Sequence, residues 1–180
     1  MRAAVVYESM YGNTRAIAEA VAAGLAPSMP VSVVPVRDAL SGAAVEELRA
    51  LDLLVIGGPT HAWGMSRPST RRGAVEAAAK PGSALVAEPG ADGPGVREWL
   101  DRMRCVATRV AVFDTHFAAP AGLSGSAARR IARRVRRLGF ELAAPPVQFL
   151  VTKQNTLVDG EVGHATEWGR SLAAQVAQLT

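Results

Sequence analysis

The most constraining stretch of the chain is Val5 to Val21, VVYESMYGNTRAIAEAV, which begins as a strand and ends as a helix. Met1 to Tyr7 is a nearly continuous apolar run, the pattern of a strand covered on both faces. From Thr14 the spacing turns helical, with Ile17, Val21 and Leu25 on one stripe. The turn between them carries Ser9, Gly12, Asn13 and Thr14. This order of parts suits a phosphate group. The first N–H groups of a helix lack internal partners, and the helix dipole favours an anion there. Ser9, Asn13 and Thr14 can add side-chain donors, and Gly12 lets a ligand approach the backbone closely. Neither GxxxxGK[ST] nor GxGxxG is present, which argues against a Walker-type nucleotide site and a dinucleotide fingerprint.

Composition sets outer bounds. The chain has 180 residues and is 49% hydrophobic, enough for a sizeable core in a single domain spanning 1–180. No apolar run reaches the ~18 residues of a membrane span, and the first residues lead into a strand with no signal-peptide pattern. The lone Cys105 excludes an internal disulfide framework and a cysteine-rich metal site. A cytoplasmic protein without membrane insertion is expected. Lys plus Arg number 20 against 16 Asp plus Glu, a net charge of +4.

Hydrophobic periodicity predicts alternating strands and helices. Strands are expected at Arg2 to Glu8, Val31 to Val36, Leu51 to Gly58 and Thr108 to Asp114. A last strand starts at Phe140 to Ala143, is broken by Pro145-Pro146, and resumes at Val147 to Val151. The proline pair places it at a sheet border. Helices are expected at Asn13 to Leu25, Ala44 to Ala50, Ser66 to Lys80, Val96 to Met103, Ser126 to Leu138 and Gly163 to Leu179. Ser66 or Ser69 could cap the third of these, and Gly139 ends the fifth as a C′ glycine. Lys80 to Gly95 is rich in Pro and Gly and reads as a long loop, a flap or an insertion. Such alternation argues for a parallel sheet covered on both faces, with the loops after strands 1, 3 and 4 on one rim.

The wording of the first turn, aliphatic-Val6-Tyr7-x-Ser9-xx-Gly12-x-Thr14-xxx-Ala18-xx-Val21, resembles the phosphate-loop signature of the flavodoxin family. That resemblance implies a three-layer, doubly wound α/β fold with five parallel strands in the order 2-1-3-4-5. It also implies FMN as cofactor, with the phosphate held by Ser9, Met10, Tyr11, Gly12, Asn13 and Thr14. Many flavodoxins have Thr where this chain has Tyr11. SMYGNT is nonetheless similar to the flavodoxin modules of flavodiiron proteins, and Tyr11 still offers its backbone N–H.

Two further loops supply expected flavin neighbours. Pro59-Thr60-His61-Ala62-Trp63-Gly64 looks like the corresponding loop of flavodoxin-like quinone reductases. Trp63 could stack on a flat ring, and Gly64 tolerates either orientation of the peptide that, in the family, turns toward reduced flavin N5. His61 could donate to the pyrimidine edge or act as a proton donor, and Arg67 could neutralise an anion. Asp114-Thr115-His116-Phe117 stands where flavodoxins place a second stacking aromatic, commonly Tyr; Phe117 or His116 would substitute.

The expected function is FMN-dependent electron transfer to a partner redox protein. Two alternatives stand beside it: an FMN-dependent quinone reductase or porphyrinogen oxidase, with His61, Arg67 and the Lys80 to Gly95 loop as a roof, and a flavin-free binding module. The arginine-rich segment ARRIARRVRR reads as a solvated face, or as a docking face for an acidic partner. Nucleic-acid binding is not expected, since aromatics do not interleave the arginines. Cys105 reads as a small buried hydrophobe. Glu8 and Asp114 could form a carboxylate pair, but spacing gives them no defined distance.

Overall fold

The computed structural model describes residues 1–41, 50–61, 63–103, 108–117 and 125–178. The expected helix from Ala44, all but its last residue, lies outside these, as do Ala62, Cys105, Leu179 and all of residues 118–124.

In chain order the elements are β1 (Ala3–Tyr7), α1 (Asn13–Leu25), β2 (Val31–Pro35), a 3-10 turn (Asp38–Leu40), β3 (Leu53–His61), β4 (Gly64–Met65), α2 (Pro68–Ala78), α3 (Val96–Arg102), β5 (Arg109–Phe117), α4 (Ala127–Arg137), β6 (Val147–Val151) and α5 (Glu161–Ala177). The main sheet runs β2-β1-β3-β5-β6 and is parallel throughout. Counting only these main strands, this is the expected order 2-1-3-4-5. The short β4 folds back antiparallel on β3, pairing Thr60 with Met65 and His61 with Gly64. Among the strands of the main sheet β6 neighbours β5 alone, so the strand that follows Pro145-Pro146 is an edge, with Leu157 bridging back to Val151.

Side chains alternate across the central strands, and each face has its own core. Val5, Val55 and Phe113 point to the side of α1 and α5, where Ile17, Val21, Leu25, Leu172 and Val176 meet them. Val6, Ile56 and Val112 point to the side of α3 and α4, against Trp99, Leu100, Ile131 and Val135. Phe113 and Phe149 meet edge to face at 5.8 Å, and Trp168 closes on both at 6.1 Å. Gly57 is side-chain-free beneath the Phe113 ring, which occupies the space a Cβ would need. Between α1 and α5 the backbones nearly touch: a Cβ on Gly24 would strike the carbonyl of Thr166, and one on Gly169 would strike that of Val21.

Several boundaries differ from expectation. β3 continues past Gly58 to His61, and β5 continues past Asp114 to Phe117, so two predicted loop segments are strand ends. The cause is pairing: Gly58 and Pro59 are in register with Asp114 and Thr115, while Thr115 to Phe117 are in register with Phe149 to Val151. α2 starts at Pro68 behind Arg67, whose N–H is taken by Thr70 Oγ1 at 2.9 Å. Ser66 is buried instead, accepting from Arg71 Nη1 at 2.8 Å. α5 begins at Glu161, two residues early, behind Gly160 at φ 89°. In the early part of the final strand, only Leu142 joins the sheet, through a bridge to Val110.

Candidate functional site

All five main strands are parallel, so their carboxyl ends share one rim. A cleft of about 490 Å³ opens there, within the ~300–1,000 Å³ range of small-molecule sites. β1 leads into it with Ser9, Met10 and Tyr11, and α1 opens on it with Asn13 and Thr14. β3 contributes Pro59, Thr60 and His61, and β5 contributes Thr115, His116 and Phe117.

The start of α1 is built to leave amides free. Gly12 stands at the N-cap with φ 93°, a left-handed conformation suited to glycine. No side chain caps the helix, and its first turn holds no acidic residue. The hydroxyl of Ser9 is turned into the loop, where it accepts from Gly12 N at 3.1 Å. Thr14 is buried, its Oγ1 2.7 Å from Thr115 Oγ1, which ties α1 to β5. Asn13 Nδ2 donates to Asn155 O at 3.0 Å, and Tyr11 donates its hydroxyl to Ala74 O at 2.8 Å. Burial raises the Tyr11 phenol above its usual pKa.

Other predicted residues have different settings. Trp63 is 60% exposed at φ 74° and does not line the cleft; its carbonyl accepts from Arg130 Nε at 3.1 Å. Gly64 is in β4, packed against the Arg130 side chain. His61 lies in the cleft wall, and burial first, then the charge of Arg71, lowers its pKa. Arg67 is exposed beside α2. Asp114 is fully buried under the cleft floor. Its Oδ2 accepts from Ser126 Oγ at 2.7 Å, Ala128 N at 2.8 Å and Thr60 Oγ1 at 3.0 Å. His116 Nδ1 lies 3.3 Å from the other Asp114 oxygen.

Glu8 does not pair with Asp114. Its Oε2 accepts from Val96 N at 2.8 Å at the start of α3, in a buried group with Ser66, Arg71 and Glu98. Gly95 makes room for this group, since a Cβ there would meet both Glu8 and Arg71. Desolvation holds the Glu8 carboxyl above its ordinary range.

Several lining residues escape the sequence reading. Lys153 and Asn155 follow β6, Leu85 comes from the Lys80 to Gly95 segment, and Thr70 and Ala74 come from α2. The first pair had a signal. A parallel edge strand also ends on the rim, and Asn155 takes a φ of 60°, which asparagine tolerates in turns. The flap is tied to the first turn: Glu88 N donates to Met10 O at 2.8 Å, and its carboxylate pairs with Arg15 at 3.1 Å.

Residues 5–80 match the family model for flavodoxin. No curated protein matches the chain. Among solved structures, a flavodoxin from the domain Archaea is 23% identical with a TM-score of 0.67, over 98% of this chain and 99% of that one. The Streptococcus pneumonia TIGR4 flavodoxin is 15% identical with a TM-score of 0.63, over 100% of each. The flavodoxin, WrbA-like protein from Agrobacterium tumefaciens is 20% identical with a TM-score of 0.62, over 99% of each. These likenesses carry the fold across the whole chain. Residues 5–80 are thus similar to the flavodoxin family, and the chain has a flavodoxin-like fold along its length.

Proposed function

We propose that the chain binds FMN at this rim and carries electrons to a partner redox protein. The observation that carries the reading is the uncapped start of α1 beside the 490 Å³ cleft. The amides from Met10 to Thr14 would hold the monoester phosphate, with the α1 dipole favouring its charge. Asn13 Nδ2, already held by Asn155, limits how far the loop can shift. Pro59, Thr60 and His61 on one side, and Thr115, His116 and Phe117 on the other, would border the ring. Phe117 is 53% exposed and Trp63 60% exposed, so both are free to cover an aromatic surface. The bound flavin would supply the electron chemistry; the protein supplies position and environment. The lowered pKa of His61 keeps it neutral near pH 7, so the wall adds no full charge there. Among the described residues no helix is long and apolar enough to cross a membrane.

The test is titration of the purified, flavin-free chain with FMN, followed by fluorescence quenching and visible absorption. The expected result is stoichiometric uptake, competed by inorganic phosphate and weaker for riboflavin, which lacks the phosphate. Failure of FMN to bind, or equal affinity for riboflavin, rejects the reading. Turnover of a quinone with NAD(P)H and no partner protein would move the assignment from carrier to enzyme.

A further inference from the structure

One large feature is left unused by the cofactor site. α4 buries Ala128, Ile131, Ala132 and Val135 and turns six arginines outward or sideways: Arg129, Arg130, Arg133, Arg134, Arg136 and Arg137. No acidic residue lies on this helix. Asp101 of α3 pairs with Arg134. The side chains of Arg129, Arg133, Arg136 and Arg137 make no hydrogen bond or ion pair among the described residues. Like charges one turn apart repel, so the helix retains this charge against its own local preference.

The arginines shape two shallow hollows, of about 520 and 440 Å³, and Arg133 and Arg137 line both. Arg97 joins the second. Its guanidinium is fixed to the carbonyls of Ser66 at 2.9 Å and Met65 at 3.0 Å, close to Arg67, Arg130 and Arg134. The basic face reaches the β3–β4 turn through Arg130. Arg130 donates to the Trp63 carbonyl, and Gly64 is packed under the Arg130 side chain. The same turn places His61 in the cleft wall.

From this we infer that α4 and the Trp63 turn form the docking face for an acidic protein surface, the partner implied by the proposed electron-carrier function on which this inference rests. Charge complementarity selects a carboxylate-rich patch. Docking there sets the partner against the turn that borders the cofactor, so recognition and the electron exit lie on one side. A nucleic acid is disfavoured, because no aromatic interleaves the arginines of α4 for bases to stack on.

The experiment uses two probes with the same haem and opposite surface charge: native cytochrome c, which is basic, and its succinylated, acidic form. Binding to the flavin-free chain is measured by calorimetry across a salt series. Electron transfer is then followed with the FMN-loaded chain, reduced beforehand by dithionite. Two ferric haems take one electron each from one fully reduced flavin, whose protons pass to solvent. The expected result is preference for the succinylated probe by about tenfold or more at low salt, in binding and in rate. The preference fades as salt rises and shrinks by at least about threefold in the double variant Arg133→Glu/Arg137→Glu. Equal treatment of the two probes, or an unchanged preference in the double variant, overturns the docking face. Tighter binding of a 20-base-pair DNA duplex than of the succinylated probe also overturns it. Lack of FMN uptake rejects the cofactor reading alone, since the calorimetric arm needs no flavin.

Discussion

α1 and α4 both begin at the rim of the sheet, and their first turns are treated in opposite ways. At α4 every early amide is taken from within. Ala127 N donates to Thr60 Oγ1 at 2.9 Å, Ala128 N to Asp114 at 2.8 Å, and Arg129 N to Ser126 Oγ at 3.0 Å. α3 is treated like α4, with Glu8 on Val96 N and Glu98 on Gly95 N. At α1 there is neither a capping side chain nor an acid, and Ser9 is occupied with its own loop. A helix start that the protein fills with its own carboxylate is a structural joint. One that it leaves bare beside a cleft is open to an anion from outside, the role proposed for α1.

The largest effect expected from breaking this contrast is at Asp114. Asp114→Ala strips the carboxylate from Ser126, Ala128 and Thr60 in a fully buried setting, and should cost about 3 kcal/mol or more. Urea denaturation measures it; a loss under 1 kcal/mol would show that the joint at α4 is not held by this group. Next comes a change that makes α1 resemble α4. Asn13→Asp puts a carboxylate in the bare first turn without disturbing the left-handed Gly12, and FMN affinity should fall at least about tenfold, ~1.4 kcal/mol, while the flavin-free chain still folds. Unaltered affinity in the titration would remove α1 from the phosphate seat.

A smaller change is expected from Thr14→Val, which breaks the 2.7 Å contact with Thr115. It should cost about 1 kcal/mol of stability, read from the denaturation midpoint, and a neutral result would mean that β5 does not steady α1 through this pair. The subtlest concerns Glu8. Because burial raises its pKa in the folded chain, the native state keeps a proton that the unfolded chain has lost. Its contribution is therefore complete below the ordinary carboxylate range and is lost as pH rises through the folded value. Glu8→Gln should flatten this part of the stability profile, measured as unfolding midpoints between pH 4 and 8. Parallel profiles for variant and parent would contradict it. His61 acts in the other direction: with its pKa lowered, stability falls as pH drops below about 6.5.

The sequence was most readable where local pattern and tertiary demand agree. The apolar run of β1, the helical stripe from Ile17 to Leu25 and the turn chemistry at Gly12 all point one way, and the strand order followed from the resemblance they carry. It was least readable where a polar stretch serves as strand. Thr115 to Phe117 reads as a loop because Asp114 and His116 interrupt the apolar run of the strand, although Thr and Phe themselves suit strands. Pairing with β6, and the demand of α4 for a carboxylate, hold it extended. The role of Glu8 was hidden for the same reason: its partner Val96 is 88 positions away, a contact no spacing encodes. Lys153 and Asn155 were missed because only three strand ends were counted on the rim, although the edge strand ends there too.

The close approach of Gly24 to Gly169 joins α1 to α5, with β2 to β6 lying between them in sequence. During synthesis, the face of α1 around Gly24 has no mate until α5 has been made. The turn at Gly12 is therefore written well before the helix that braces it from behind.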